Sequence, residues 1–192
     1  RGAWRIDLRV EEDGPALASA RLLVEDFRPE RIDFDLTLPE GTLQAAAPVQ
    51  VAFDARWLFG APAADLPVDG ELRLTPASTL PGWEGYVFGR HDDASDPDVV
   101  AMPSGQTDAA GHFAASAELP PALQAAARPW QATLAMSVRE GAGRPVERRV
   151  TRTIAPARTA IGLRPDFEGG SVAEGADAGF RIVALGADLQ PA

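Results

Sequence analysis

The sequence contains no cysteine and no lysine, and no apolar run in it approaches the roughly 20 residues that a membrane-spanning helix needs. Without cysteine these residues can form no disulfide, thiolate metal site, thiol nucleophile or thioester. Direct membrane insertion by this segment is not expected. Arginine is the sole cation apart from two histidines, a pattern we attribute to GC-rich codon usage. Positive charge is also in deficit, with 28 acidic against 18 basic side chains and a net charge of −10. That balance argues against nucleic acid, because phosphate binding needs a basic footprint. Neither a methionine nor a signal-like apolar segment stands at Arg1, so the sequence reads as a piece of something longer.

What is present fits a folded chain. Of 192 residues, 45% are hydrophobic and 24% charged, ordinary values for a packed core. Seventeen prolines and eighteen glycines are scattered rather than clustered, as punctuation between many short strands. The organising stretch is 49–64, VQVAFDARWLFGAPAA. Val49, Val51, Phe53, Ala55 and Trp57 alternate with Gln50, Asp54 and Arg56, which is the period of a strand with one buried face. It then enters a Gly60-Ala61-Pro62 corner, where proline ends the ladder by lacking an N–H.

Other segments follow the same logic. Residues 1–10 and 16–24 flank Asp13-Gly14-Pro15 as a hairpin that should belong to a larger sheet. A new unit is expected to start near Val24 to Pro29, followed by the alternating strand Ile32 to Leu38. Further strands are expected at Leu72–Leu74, Trp83–Phe88, Phe113–Leu119 and Trp130–Val138. Residues 89–106 read as an exposed acidic loop, and 121–127 as the one helix candidate. Val146 to Ile154 carries Arg148, Arg149 and Arg152 and is expected to be an edge strand with one charged, wet face. Arg164-Pro165 echoes Arg28-Pro29, and Phe180 to Pro191 echoes the organising stretch, as a faint internal repeat. One whole β-sandwich is therefore expected over 27–157. Residues 1–26 would be the terminal hairpin of a preceding domain, and 158–192 the first strands of a following one.

Several segments together, VEDFRPERIDFDL, ARWLFGAPAADLPVDGELRL, PGWEGYVFG, TDAAGHF, REGAGRPVERRV and IGLRPDFEGG, resemble the macroglobulin-type sandwich repeats of bacterial α2-macroglobulins. The resemblance runs in order along essentially the whole chain. It implies an all-β fold, a seven-stranded antiparallel sandwich of fibronectin III or Ig-like type flanked by partial domains. It also implies a fragment of a broad-spectrum protease trap in the periplasm, whose parent is an inner-membrane-anchored lipoprotein. Neighbouring macroglobulin domains and, through the full-length protein, target proteases are the implied partners. In that family a bait segment is cleaved and a thioester captures the protease in many members. No cysteine stands here and no bait maps onto these residues, so this piece would be framework.

Asp92, Asp93, Asp96 and Asp98, in the loop His91 to Asp98, offer hard oxygen ligands to calcium, but without EF-hand spacing. They are read as a solvated loop. His91 and His112 lack a nucleophile-elbow context around Ser104 or Ser116. Asp33 and Asp35 share a strand's polar face and suggest carboxylate-pair chemistry only weakly. Trp57, Trp83 and Tyr86 would be the platform of the alternative function, a free-standing periplasmic or surface adhesion module that binds glycan. A calcium-dependent enzyme or lyase is the remaining alternative. No catalytic residue, metal ligand or cofactor site is assigned from the sequence.

Overall fold

The computed structural model describes residues 2–12, 14–24, 31–92 and 95–192, and the chain divides into two units, residues 1–31 and 32–192. In the first unit β1 (Gly2–Arg9) and β2 (Ala16–Val24) pair antiparallel. Trp4, Ile6 and Leu8 stand opposite Leu22, Ala20 and Ala18. Directly opposed residues share a face, so this face is wholly apolar. Trp4, Ile6, Leu8 and Leu22 are nonetheless more than half exposed. On the other face the Asp7 carboxylate accepts hydrogen bonds from Arg5 Nη2 at 2.7 Å and Ser19 Oγ at 2.6 Å. The expected turn residue Asp13 and the expected unit start at 25–30 lie outside the described residues.

The second unit is built from β3 (Ile32–Thr37), β4 (Leu43–Gln44), β5 (Val49–Trp57), β6 (Pro67–Pro76), β7 (Val87–Phe88), β8 (Asp98–Ala101), β9 (Gly105–Gln106), β10 (His112–Ala117), β11 (Trp130–Val138), β12 (Val146–Ala155), β13 (Ala160–Pro165) and β14 (Phe180–Leu185). One sheet runs β10-β5-β3 and a second β4-β12-β11-β6-β8, with β9 also on β6. Among the described residues only the two-residue contact of β4 with β12 is parallel. The alternation in β5 has the expected outcome, with Val49, Val51, Phe53 and Ala55 all buried. They meet Leu72 and Leu74 of β6 and Leu134, Met136 and Val138 of β11 in one continuous core. Inside it Phe34 stacks on Phe53 at 4.2 Å between ring centroids, and Phe113 meets Phe53 edge-on.

Four local expectations are corrected. The segment at 121–127 is a 3-10 turn, Pro121–Ala125, anchored by buried Leu123 and too short for an α-helix. β6 spans ten residues rather than three. Asp69-Gly70 looks like a turn, but Gly70 lies in the ladder, where a Cβ would strike the Met136 sulfur and the Ala135 carbonyl. Part of the acidic loop is ordered as β8, which extends the sheet along β6. Lastly, β12 has the expected wet face at Glu147, Arg149 and Thr151, but β4 pairs with its end, so it is not an edge strand throughout, and two of its arginines lie on the other face. Arg148 and Arg152 share the phase of buried Val146 and Ile154 and reach across the sandwich edge to β3 and to the segment just after it. Arg148 donates to Asp33 at 3.2 Å and lies over the Phe34 ring, while Arg152 Nε donates to the Pro39 carbonyl.

The far end of β5 is fastened by one buried threonine. Thr107 Oγ1 donates to the Ala63 carbonyl at 2.6 Å and accepts the Leu66 N–H at 3.0 Å. Its own backbone N–H and C=O pair with Leu66 and Asp65. Close by, Gly111 at φ +85° packs so tightly that a Cβ would collide with the Ala55 carbonyl. Thr107→Val would leave a buried N–H and C=O unpaired at a cost of about 1–3 kcal/mol. Thermal unfolding followed by circular dichroism should show its midpoint fall by roughly 3–10 °C. Ser116→Ala, on the exposed face of β10, should stay within about 0.5 kcal/mol of wild type.

Candidate functional site

Two places gather polar or aromatic side chains. The first is a shallow dish of about 420 Å³ on the outer face of the β10-β5-β3 sheet, lined by residues including Asp35, Asp54, Asp108 and His112. The register places them: His112 stands opposite Asp54, and Asp54 opposite Asp35. These side chains already have partners. His112 Nε2 lies 3.2 Å from Asp54 Oδ2. Arg56 holds both carboxylates of β3, Asp35 at 2.7 Å and Asp33 at 3.2 Å. Two carboxylates are thus engaged by one guanidinium in a surface ion-pair network.

Asp108 has a local task. Its Oδ1 accepts the backbone N–H groups of Ala110 and His112, both at 2.8 Å, closing the turn that leads into β10. These hydrogen bonds, the one from His112 foremost, hold the carboxyl below the usual carboxylate range. Ser116 lies four residues along β10 from His112, roughly 13 Å at 3.3 Å per residue, and its hydroxyl accepts from Gln50. The structure therefore does not assemble a histidine–serine pair here.

The acidic loop is likewise committed to local contacts. Asp92 is held by Arg90 at 2.6 Å, and Asp98 Oδ1 accepts the Val99 N–H. Asp93 lies outside the described residues. Among the described residues no group of three or more histidine or carboxylate side chains stands close enough to hold a metal ion.

The second place is aromatic. Trp83 and Tyr86 meet edge to face at 5.7 Å, and Tyr86 lies 6.3 Å from Phe88. Trp57 belongs elsewhere, stacked on Phe59 at the end of β5. The three aromatics suggested for a glycan platform thus fall into two separate clusters. Trp83, Tyr86 and Phe88 sit on a strap, residues 77–90, that leaves the sandwich after β6. The strap reaches a third sheet, ordered β14-β13-β7. There Phe88 pairs with Gly162 and Val87 with Leu163.

The fit at that contact is close. Phe88 is 1% exposed, and a Cβ on Gly162 would stand 2.5 Å from its ring. Phe88, Leu80, Ala160 and Leu185 form a second small core, with Trp83, Tyr86, Val183 and Leu189 packed against it. Arg164 lies over the Tyr86 ring at 5.0 Å. Phe88 N–H donates to the Ser78 carbonyl, closing the strap on itself, and at the strap's base Ala77 N–H donates to the Pro129 carbonyl beside β11. Two sequence segments that carry the resemblance, PGWEGYVFG and IGLRPDF, therefore meet in space. No periodicity announced this, because the contact joins residues 74 positions apart (162 − 88) through two ladder pairs.

The fold is thus a two-sheet β-sandwich whose strap clamps the β13–β14 hairpin. Residues 30–156 match the family model of the Bacterial Alpha-2-macroglobulin MG5 domain, and the chain belongs to that family. It is 32% identical over 206 residues to an alpha-2-macroglobulin of Xylella fastidiosa (strain Temecula1), the match taking in 99% of this chain and 12% of that protein. Against the alpha-2-macroglobulin of Escherichia coli (strain K12) it is 33% identical over 153 residues, 78% of this chain and 9% of that one. The crystal structure of Salmonella alpha-2-macroglobulin reacted with methylamine superposes with a TM-score of 0.68 at 30% identity, covering 99% of this chain and 13% of the other. The chain thus spans about an eighth of the length of the relatives it matches.

Two tests address these sites. Phe88→Ala or Gly162→Val should accelerate amide exchange in β13 and β14 by at least about tenfold, leaving β5 and β11 unchanged in mass-spectrometric mapping. The depressed Asp108 carboxyl contributes stability that is complete above the unfolded-state value of about 4 and is lost as the pH falls through its folded value. Asp108→Asn should therefore flatten the acid limb of the stability–pH curve measured by denaturant titration below pH 4.

Proposed function

We propose that this chain is framework within a bacterial α2-macroglobulin-like protease trap, contributing neither bait nor thioester and no catalysis. The observation that carries the proposal is the disposition of its charged and aromatic clusters, which are spent on holding turns, sheet edges and the strap, in a chain that belongs to the macroglobulin family. Relatives are described as activated by trypsin and by porcine elastase. The same attack on this chain's parent would be answered by movement of whole domains, with this module carried as a rigid part. The parent would be a periplasmic lipoprotein anchored to the inner membrane. Its partners would be the adjoining macroglobulin domains and, through them, proteases.

The domain borders belong to the same proposal. Residues 27–157 form the complete sandwich, 1–26 end a preceding domain and 158–192 open a following one. The bare apolar face of β1 and β2 supports the first border, since a two-stranded ribbon with an exposed apolar face is not stable in water. The experiment compares the full-length parent with the 192-residue chain, each incubated with trypsin. The parent should protect trypsin from a macromolecular inhibitor while small substrates are still cut. The isolated chain should give no protection, and protection by it alone would overturn the proposal.

A further inference from the structure

Two edges of the sandwich are guarded. Arg148 and Arg152 cross over to β3 and to Pro39, and β8 begins at Asp98 directly behind Pro97. β10 differs from both. It is the end strand of its sheet, bonded to β5 alone. From Phe113 to Ala117 it carries no ionisable side chain, no proline and no shift of register. A strand edge without such guards is a template for a further strand.

The ladder shows which backbone groups face outward. Ala55 N–H donates to the Gly111 carbonyl at 2.8 Å, so Gly111 and Ala55 are a hydrogen-bonded pair. Such pairs alternate along an antiparallel ladder. Phe113, Ala115 and Ala117 therefore bond towards β5, while His112, Ala114 and Ser116 turn their N–H and C=O groups outward. His112 agrees with this phase, since its N–H donates to Asp108 Oδ1 and its carbonyl accepts the Asp108 N–H, both at 2.8 Å. Among the described residues no neighbour closes the outward backbone groups of Ala114 and Ser116, and both residues are exposed. The edge is shut at His112 and open from Ala114 onward.

The sheet face beside this opening selects the occupant. Ala52 stands opposite Ala114 on one side and Thr37 on the other. The Ala52 and Ala114 methyl groups are the floor of the 420 Å³ dish, and the row of Asp35, Asp54 and His112 is its wall. Asp54 and Asp35 keep 55 and 68% of their side-chain surface exposed despite their partners. At the far end of the open stretch, exposed Glu118 follows in the phase of Ala114 and Ser116. An uncharged strand edge thus has carboxylates at both ends. A side chain opposite Ala114 on an added strand would lie about 10 Å from β5, two strand spacings. An arginine and an aspartate span that gap together across the two methyls.

We propose that the outward edge of β10 binds an extended basic segment of a separate protein by antiparallel strand addition, with an arginine or lysine opposite Ala114 seated in the dish. Ala114 and Ser116 supply N–H donors and carbonyl acceptors to the added backbone, and the acidic row supplies the preference for a cation. Charge disfavours a second copy of this chain, which has a net charge of −10 and would bring the same carboxylates to the contact. The edge involves no bait, thioester or catalysis, so this inference stands apart from the proposed function.

The test titrates a fluorescein-labelled peptide of about seven residues, valine alternating with arginine, into the full-length parent and reads anisotropy. It should bind at least about tenfold more tightly than the same peptide with glutamate in place of arginine. N-methylation of the peptide amides that face β10 should abolish binding. Ala114→Lys, at an exposed position, would fill the dish from within and should weaken binding at least about tenfold. Ala114→Pro, which removes an outward N–H that the β5 ladder does not use, is the second variant. Gln131→Lys, exposed on the other sheet, should change nothing. Absence of binding overturns the proposal, as does equal affinity for the glutamate peptide or an Ala114→Lys parent that binds like Gln131→Lys. Binding by the 192-residue chain but not by the parent assigns the edge to the parent's own polypeptide and also overturns it. So does a concentration-dependent dimer of the 192-residue chain that Ala114→Lys dissolves, which assigns the edge to a second copy. Failure of protease protection bears on the proposed function alone, since anisotropy is read without protease.

Discussion

Everything in the second unit depends on the apolar contact between β5 and the β6–β11 pair. β5 is the central strand of its sheet, bonded on one side to β3 and on the other to β10. Its four inward side chains are the floor on which the opposite sheet rests. Removing any one of them would open a cavity that close packing cannot heal, because the strands around it are fixed by ladder bonds on both sides. The turns at either end of β5 need such a rigid strand, and so do the arginines that cross the sandwich edge.

From that floor the polar residues can be understood as fasteners. Thr107 holds the loop beyond β5, Asp108 closes the turn into β10, and Arg56 gathers Asp33 and Asp35 on the outer face. Arg148 ties β12 to β3 and rests on the Phe34 ring, combining charge and apolar contact in one side chain. Such exposed ion pairs contribute little to stability one by one. Their value lies in orientation, since each fixes an edge or loop that the core alone leaves free.

Much of this was legible in the sequence wherever a strand has one wet and one dry face. The alternations at Ile32–Thr37, Val49–Trp57 and Trp130–Val138 gave strands with the expected sides buried. Legibility failed where a partner far along the chain decides the outcome. Gly70 resembles a turn residue until Met136 is placed beside it, and Asp98 to Ala101 looks like loop until β6 offers an edge. Arg148 and Arg152 resemble solvent-facing charge because their acceptors, Asp33 and the Pro39 carbonyl, lie more than a hundred residues away. The clasp was hidden for the same reason. Its glycine and its phenylalanine carry no signal apart, and the segments that resembled a family marked these spots without explaining them.

The strap also makes order along the chain and order in packing differ. Along the chain, the sandwich hands over to the hairpin between Ala155 and Ala160. In packing, Leu80 and Phe88 from one side are buried by Ala160 and Leu185 from the other. A polypeptide shortened at the sequence boundary would carry an uncovered row of aromatics into solution and invite aggregation. Sandwich, strap and hairpin are therefore one packing unit, whatever the order of their residues along the chain.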